Sequence, residues 1–390
     1  MKRIFYYSFA LLALSGCGKE DTPDFPAPVP APAPESVERA VLVYAVNRSS
    51  LSADFNDDSN EMLEAMGNVD SDKYQLLVFR TDSDSECGLY RAARNSDGDF
   101  QFVLLKSFDR DVTSTHPTRV EEVMKYALDL YPNASYDLIF WGHGMSWRPY
   151  FTDHNVTDTP VLHAYGGEYN PDFTSTDWTE IDELADAVPD GRFETIWFDC
   201  CYMTGIEVIY EFRDKCRTFV GYPTEVWQYG MAYDIVLPYL MRSTPDVTGA
   251  ARAFYDFYAA TSDPVTVAVV DMEHLQPVAD VAREIVRSGS VRPEARDLLN
   301  YSRTASSPFY DFKQFFTMTS SLNGAEPLGR RLDEAMKSMV IYHAESDKNF
   351  FGRPWDVSAV SGISTHYYKG TDSVDEAYYR TLDWYRRVYE

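Results

Sequence analysis

The sequence is poor in cysteine. Only five cysteines occur among 390 residues, and they are unevenly spaced. This number and spacing exclude the disulfide scaffold on which small secreted domains depend. The cysteines and the seven histidines also form no close pair sets, so the spacing of a zinc site is absent. Each cysteine therefore needs its own explanation.

Basic residues are scarce as well. The chain carries 35 Lys and Arg against 61 Asp and Glu, a formal net charge of −26. Such a chain repels phosphate groups, so we expect no nucleic-acid partner. The acidic runs at residues 54–61, 70–72 and 82–86 do not follow the pattern of an EF-hand. We therefore expect no metal or other cofactor, with calcium as the alternative that remains open.

The N-terminus lacks an apolar run long enough to span a bilayer, which takes about 20 residues. Instead, a basic pair precedes a shorter apolar stretch at residues 4–14, and small residues lead to Cys17. This pattern predicts a secretory signal. The tetrapeptide Leu-Ser-Gly-Cys that ends at Cys17 resembles a bacterial lipobox, which implies removal of residues 1–16 and a lipid on Cys17. The alternative is an ordinary signal peptide whose cleavage region contains a cysteine.

Residues 17–38 have the composition of a tether. Six prolines alternate mostly with alanine between residues 23 and 34. Such a segment favours extended polyproline II and makes a spacer of roughly 40 Å. The preceding residues 18–21, Gly-Lys-Glu-Asp, resemble the surface-export signal of Bacteroidetes lipoproteins, with a plain solvated tether as the alternative. We expect an exported protein held by its lipid at the outer membrane or cell surface.

The composition changes at residue 39, where apolar runs begin to alternate with amphipathic stretches. Short continuous apolar runs predict strands buried on both faces, and the amphipathic stretches between them predict helices. The alternation predicts an α/β fold over residues 39–390, with a largely parallel central sheet flanked by helices and a C-terminal extension. The predicted strands of the sheet cover residues 40–46, 74–79, 136–141, 194–200 and 217–221, a hairpin covers 87–93 and 100–108, and the extension contains a strand at 265–270 and helices at 275–286 and 376–389.

Two predicted strands end in residues with catalytic potential. The third runs into Gly142-His143-Gly144, and the fourth into Asp199-Cys200-Cys201. Functional sites of parallel sheets lie beyond the carboxyl ends of the strands. There, an imidazole could activate a thiol as nucleophile, while the amides of Gly144 and Cys201 could stabilise an oxyanion. A structural histidine and an inert buried cysteine are the alternatives that spacing alone leaves open.

The same segments resemble motifs of the clostripain-like cysteine peptidases, relatives of caspases, gingipains and legumains. Residues 136–144, Tyr-Asp-Leu-Ile-Phe-Trp-Gly-His-Gly, resemble the family's His-Gly element. Residues 198–203, Phe-Asp-Cys-Cys-Tyr-Met, resemble its Asp-Ala-Cys-Leu-Met element, with Cys and Tyr in place of Ala and Leu. Alignment of the flanking Asp and Met assigns the nucleophile to Cys201 rather than Cys200. Weaker similarities at residues 41–44, 225–230, 310–312 and 361–364 extend the resemblance over the body.

The resemblance implies a caspase-like fold and a cysteine endopeptidase that uses His143 and Cys201. It also implies cleavage after Arg or Lys, with Asp199 as the acidic residue of the specificity pocket. Glu225 and Asp234 are further candidates for substrate binding. The alternatives for Asp199 are a strand-end cap or a residue that supports the catalytic residues without contacting substrate, and the alternative for the other two is that they are solvated loop acids. We expect a monomer whose substrates are proteins or peptides with basic residues.

The region between the two motifs departs from several relatives, which activate themselves by cutting after a basic residue there. Here Arg148 precedes a proline, and Arg192 abuts a predicted strand. We therefore expect no self-cleavage at a basic residue in this region. Residues 150–177 predict a long loop, either a lid or a disordered insertion. A non-catalytic cell-surface binding protein on a peptidase-like fold is the alternative function.

Overall fold

A nine-stranded sheet forms the centre of the fold. The computed structural model describes residues 36–81, 87–148, 164–302, 308–371 and 373–390. The strands, in chain order, are β1 (Arg39–Ala45), β2 (Tyr74–Thr81), β3 (Cys87–Arg94), β4 (Phe100–Phe108), β5 (Ser135–Trp141), β6 (His143–Gly144), β7 (Tyr165–Tyr169), β8 (Thr176–Thr179), β9 (Phe193–Asp199), β10 (Cys216–Gly221), β11 (Thr266–Asp271), β12 (Tyr310–Asp311), β13 (Val340–Glu345) and β14 (Ser364–Thr365).

The large sheet has the order β13-β11-β10-β9-β5-β1-β2-β3-β4. Its five central strands, from β10 to β2, are all parallel to one another. Antiparallel strands extend both edges: β3 and β4 on one side, β11 and β13 on the other. The five parallel strands are the five predicted buried runs, so the expectation of a largely parallel sheet is confirmed. The predicted hairpin corresponds to β3 and β4.

Helices cover both faces of the sheet. They are α1 (Ser52–Ala65), α2 (Pro117–Leu130), α3 (Ile181–Ala187), α4 (Ile206–Glu211), α5 (Tyr233–Leu240), α6 (Val247–Thr261), α7 (Leu275–Ser288), α8 (Phe312–Leu322), α9 (Glu326–Met339), α10 (Val374–Tyr379) and α11 (Asp383–Val388). Helices α1, α5 and α6 enclose one apolar core, and the other helices contribute to the second. Successive residues of β1 point alternately into these two cores. Both faces of the central strands are therefore buried, which is why these strands are almost continuously apolar.

The register of the sheet brings the two sequence motifs together. Strand β5 runs parallel to β9, with Trp141 opposite Asp199. The segments that follow these residues, 142–144 and 200–204, consequently leave the same edge of the sheet side by side. The predicted nearness of His143 and Cys201 follows from this pairing.

The C-terminal extension braces the turn after β9. The N–H of Ser364 donates to the carbonyl of Thr204, at 3.0 Å. The hydroxyl of Thr204 donates to the carbonyl of Gly362, at 2.9 Å. Buried Glu207, at the start of α4, accepts bonds from the hydroxyl of Thr365 and from the amide of His366, each at 2.9 Å. Residues 362–366 of the extension therefore hold the end of the turn that carries the cysteines.

Two predictions about individual elements were wrong. The closing helix expected over residues 376–389 is two short helices, α10 and α11. The chain breaks between them because the buried rings of Tyr379 and Trp384 pack into the core from separate turns. The predicted loop at residues 150–177 ends in β7 and the start of β8. Strand β7 pairs with β6 on one side and with β8 on the other, in a small sheet.

Several predictions concern residues that lie outside the described part of the chain. They are the signal peptide, most of the tether with Cys17, the acidic run at 82–86 and residues 150–163. Among the described residues, no helix combines the length and apolar character needed to cross a bilayer.

We expect the buried ion pair between β1 and β5 to be important for stability. The guanidinium of Arg39 lies 2.7 Å from the carboxylate of Asp137, whose side chain is 1% exposed. Burial raises the pKa of Asp137 although Arg39 lowers it. Arg39→Ala leaves this carboxyl group without its partner, so the free energy of unfolding should fall by about 3–5 kcal/mol. Urea unfolding near neutral pH measures the change.

Arg217→Ala is the matched control, since it removes an ion pair that also joins neighbouring strands. Arg217 is 78% exposed and lies 3.6 Å from Glu194. Its removal should lower the free energy of unfolding by no more than about 1 kcal/mol. Equal effects of the two substitutions would contradict the importance of burial.

Candidate active site

A glycine at the end of β5 sets the path of the chain into the site. Gly142 has a φ of +148°, a backbone conformation that L side chains rarely adopt. After it the chain continues as β6, which pairs antiparallel with β7 rather than joining the large sheet. His143 therefore stands on a short strand just beyond the sheet edge.

Gly144 lies against the turn after β9 with no space for a side chain. A Cβ atom there would be 2.6 Å from the carbonyl oxygen of Cys201 and 2.8 Å from Cβ of Cys200. Real Cβ atoms essentially never approach other atoms so closely. The absence of a side chain therefore allows the His143 and Cys201 segments to touch through their backbones.

The imidazole of His143 is held by a residue that sequence analysis missed. Nε2 of His143 lies 2.9 Å from Oγ of Ser50. Trp178 and Gly167 lie beside the ring, with 6.0 Å between the two ring centroids. Burial lowers the pKa of His143 below its usual value, so the neutral form prevails at pH 7. Ser50 follows the carboxyl end of β1, and this position at the sheet edge is the signal that could have identified it.

The two adjacent cysteines occupy different environments. Cys201 is partly buried, and its Sγ lies 3.4 Å from the amide nitrogen of Val226. Cys200 is fully buried, and its thiol donates to the carbonyl of Phe140 at 3.3 Å. Burial and the nearby charge of Asp199 raise the pKa of Cys200 well above its usual value. The cavity beside His143 is consequently lined by Cys201 and not by Cys200.

Most of the predicted site residues line one cavity of about 320 Å³. His143, Cys201, Asp199 and Glu225 are among them. The remaining lining residues are Leu51, Trp141, Gly142, Val226, Trp227, Gln228, Gly230 and Phe350. Asp234 lies in the first turn of α5 and is not part of the lining. Gly144 adjoins the cavity through its contact with Cys201.

Asp199 lies at the cavity and is held by three donors. Its carboxylate accepts bonds from the hydroxyls of Tyr222 and Tyr233, at 3.2 and 3.0 Å, and from the amide of Met231, at 3.0 Å. These bonds favour the charged form. Burial outweighs them and raises the pKa of Asp199 to about 6. The group is therefore mainly a carboxylate at pH 7, in a place with little water.

A second buried carboxyl group, Asp58 of α1, lies beside Asp199. A Cβ atom on Gly230 would be 2.9 Å from an oxygen of Asp199 and 3.2 Å from one of Asp58, so both groups approach the same point. Burial and the charge of Asp199 raise the pKa of Asp58 to about 9. Within the described residues, no Lys, Arg or His forms an ion pair with either group. The floor of the cavity thus carries an uncompensated negative charge.

Glu225 faces the phenol of Tyr202 at another side of the cavity. Burial raises the pKa of Tyr202, and the charge of Glu225 raises it further. Tyr202 itself has a φ of +63°, in the left-handed region. The residue after Cys201 is therefore held in a conformation that few non-glycine residues adopt.

The described residues contain no group of three or more His, Cys, Asp or Glu side chains arranged to hold a metal ion. The expectation that the protein needs no cofactor stays a prediction.

Comparison with known proteins identifies the family. The family model for the clostripain family of peptidases matches residues 43–300, and this range contains His143, Cys201 and Asp199. The chain belongs to the clostripain family. It is a clostripain-like cysteine peptidase, as its sequence motifs imply, and peptides are its substrates. No curated protein matches it.

Two solved structures similar to this peptidase come from different bacterial species. One is a secreted C11 cysteine protease from Bacteroides thetaiotaomicron in complex with an irreversible peptide inhibitor. Its sequence is 26% identical to this chain, and the TM-score is 0.77. The match covers 90% of this chain and 99% of that chain. Another is an inactive zymogen C11 protease from Parabacteroides distasonis, with 24% identity, coverage of 93% and 100%, and a TM-score of 0.75. These similarities confirm the expected caspase-like fold.

We expect Gly144→Ala to impair the peptidase because the new methyl group collides with backbone. The neighbouring carbonyl of Cys201 cannot turn aside without displacing the residue itself. The substitution should lower the free energy of unfolding by about 1–3 kcal/mol and reduce peptide hydrolysis strongly. Thermal unfolding and hydrolysis of a peptide substrate measure the two effects.

Gly67→Ala serves as the control, since no atom lies within 4 Å of a Cβ built at Gly67 and its φ is not positive. This variant should keep its stability and activity. Wild-type activity in Gly144→Ala would contradict the proposed role of the contact.

Proposed function

We propose that this peptidase cleaves peptide bonds after Arg or Lys, with His143 and Cys201 as its catalytic dyad. The observation that carries the proposal is the cavity itself. Its lining combines the thiol of Cys201, the imidazole of His143 and the buried carboxylate of Asp199. A nucleophile, a proton carrier and a site for a cationic side chain are thus within reach of one bound peptide.

The chemistry proceeds through a thioester. The thiol of Cys201 gives its proton to His143, and Sγ attacks the carbonyl carbon of the basic residue. During this attack the π electrons of the carbonyl group move onto its oxygen. They then re-form the C=O bond as the C–N bond breaks, and the leaving amine takes up a proton from His143. Water then attacks the thioester and loses a proton to His143, the thiolate leaves, and the acid is released. Ser50 keeps the imidazole in place through Nε2, which leaves Nδ1 for these transfers.

We assign stabilisation of the oxyanion to the amides of Gly144 and Cys201. The amide of Met145 donates to the carbonyl of Ala164 at 2.9 Å. Along an antiparallel ladder, residue pairs that exchange backbone hydrogen bonds alternate with pairs that do not. The pair of Met145 and Ala164 is of the first kind, so the next pair is of the second. Because Gly144 is opposite Tyr165 in the same ladder, its N–H is directed away from β7 and is available to the substrate. A donor aimed at the developing charge lowers the barrier to the attack.

The buried charge at the cavity floor supports a preference for basic residues. Asp199 has no ion-pair partner among the described residues, so a substrate guanidinium or ammonium group would provide one. Arg148, the one basic residue described between β6 and β7, is unsuited as an internal substrate. It is 14% exposed, and it lies 3.7 Å from Asp375 and over the ring of Phe309. This supports the absence of self-cleavage at this residue.

We further propose that the peptidase is exported and anchored by a lipid on Cys17, and that it acts as a monomer. The signal-like segment at residues 1–16 and the lipobox-like motif support export and lipidation. The similar protease from Bacteroides thetaiotaomicron is described as secreted. The Pro-rich tether would let the catalytic body reach substrates away from the membrane.

The two cysteines allow a direct test of the dyad. Cys201→Ala and His143→Ala should each reduce hydrolysis of an Arg-containing fluorogenic peptide by at least about 10³-fold, as in other enzymes with an activated nucleophile. Cys200→Ala, the matched control at the neighbouring position, should retain activity because its thiol points into the core. Activity that is kept in Cys201→Ala, or lost only in Cys200→Ala, would reject the assignment.

The pKa of Asp199 makes the preference for basic residues depend on pH. Asp199 is charged above its pKa of about 6 and neutral below it. The ratio of kcat/KM for a peptide with Arg to kcat/KM for the same peptide with citrulline should therefore fall as the pH falls through 6. The comparison uses citrulline because it is uncharged and close to Arg in shape. Titration of His143 affects both substrates and cancels in the ratio.

Asp199→Asn should reduce this ratio about 10- to 100-fold near neutral pH, since it removes a charge-assisted bond. It should also abolish the pH dependence of the ratio. A ratio that is the same in the variant and the wild type would exclude Asp199 as the specificity residue.

A further inference from the structure

An aromatic pair forms one wall of the cavity. The rings of Trp227 and Phe350 are stacked, with 4.3 Å between their centroids and 29° between their planes. Both residues are half-buried and line the cavity with Cys201. Stacked rings present a rigid apolar surface, which loses little conformational entropy when another side chain packs against it.

The position of Trp227 is fixed relative to the thiol. Its indole nitrogen donates to the carbonyl of Pro264 at 3.0 Å. The preceding residue, Val226, has its amide nitrogen 3.4 Å from Sγ of Cys201. The aromatic wall thus begins one residue away from a direct contact with the candidate nucleophile.

Phe350 comes from a different part of the chain, at the tip of a short hairpin. Lys348 and Pro354 pair across the hairpin, and the amide of Asn349 donates to the carbonyl of Arg353 at 2.9 Å. The indole of Trp355 donates to the carbonyl of Ser346 at 2.7 Å. The hairpin is therefore closed by its own hydrogen bonds, which keep Phe350 in place.

The hairpin is anchored to the large sheet. The amide of Ser346, just after β13, donates to the carbonyl of Val265, just before β11, at 2.9 Å. The whole hairpin lies outside residues 43–300, the range that the family model matches. This half of the aromatic wall is therefore contributed by the C-terminal extension.

The direction of the peptide follows from the proposed chemistry. The leaving amine must face His143, which supplies its proton, and the side chain of the basic residue reaches toward Asp199. We take the acyl half of the peptide to run along the other side of Cys201, past Val226 to Trp227. The residue before the basic one would then lie against the aromatic wall.

We propose that Trp227 and Phe350 form a subsite for an apolar side chain, so that the substrates are peptides with an apolar residue immediately before the basic residue. This inference rests on the proposed function and adds a second requirement to it. Two further apolar residues, Val226 and Leu51, also line the cavity. Packing a leucine-sized side chain against such a surface is worth at least about tenfold in kcat/KM.

Fluorogenic peptides that differ only in the residue X before Arg test the subsite. Wild-type peptidase should cleave peptides with X as Leu or Phe at least about tenfold better than peptides with X as Gly or Asp. Phe350→Ala should reduce this preference to about threefold or less, and Phe350→Leu should keep most of it. The ratio of Arg to citrulline cleavage should not change in these variants.

Phe351→Ala is the matched control. Phe351 is the next residue in the hairpin, is 56% exposed and does not line the cavity. This variant should keep the preference of the wild type. If Phe350→Ala lowered cleavage equally for every X, the ring would contact the basic residue itself and the proposed subsite would be wrong. Equal effects of Phe350→Ala and Phe351→Ala would also overturn it.

Binding to Cys201→Ala separates this inference from the proposed function. Uncleaved peptides with X as Leu or Gly are titrated by calorimetry into Cys201→Ala and into Cys201→Ala combined with Phe350→Ala. The first protein should bind the Leu peptide about tenfold more tightly than the Gly peptide, and the second should not discriminate. Equal affinities in the first protein would reject the subsite even if the dyad and the basic preference were correct. A clear difference would support it even if the assignment of the nucleophile failed.

Discussion

The contact between Gly144 and the turn after β9 is the constraint on which the site depends. Two parallel strands end side by side, and each continues into a segment that carries one reactive group. These segments can meet closely only because one of them has a residue without a side chain. With any other residue, the backbone of Cys201 would have to move, and the imidazole and thiol would separate. The sheet brings the segments of His143 and Cys201 to the same edge, and this contact allows their backbones to touch.

Burial gives neighbouring groups of the same type different chemical roles. Cys200 and Cys201 are adjacent, yet one thiol is enclosed by the core and hydrogen-bonded to a main-chain carbonyl while the other lines the cavity. Asp58 and Asp199 approach the same point at the cavity floor. Because burial and, after it, the charge of Asp199 raise the pKa of Asp58, Asp58 holds its proton at neutral pH while Asp199 keeps the charge. The cavity thus holds one partly buried thiol and one buried carboxylate, and no basic residue in the described part of the chain forms an ion pair with that carboxylate.

The cavity is assembled from distant parts of the chain. Residues 142–144 and 199–201 come from the centre of the sheet, where the family resemblance is strongest. The aromatic wall combines Trp227, from the segment after β10, with Phe350, from a hairpin attached to the sheet edge. The aromatic wall therefore comes from regions of the chain other than those that carry His143, Asp199 and Cys201.

Local pattern predicted the regular parts of the fold well. Strands buried on both faces produce apolar runs that can be recognised in the sequence, and all five parallel strands were identified in this way. Prediction failed where tertiary packing overrides local preference. The closing helix is broken because separate aromatic side chains enter the core, and β7 forms within a predicted loop because β6 offers it a partner. Neither cause is visible in a short stretch of sequence.

The sequence by itself determined the family, the parallel sheet and the two motifs that contain His143 and Cys201, because these depend on local periodicity and on short motifs of adjacent residues. Only the tertiary structure decided which thiol lines the cavity, that Ser50 contacts the imidazole, and that Phe350 joins the aromatic wall. These contacts join residues that are distant in the sequence, in one case by more than one hundred positions. They depend on strand register and on the course of the loops. Neither can be predicted from the local pattern of residues, because each is set by packing between distant parts of the chain.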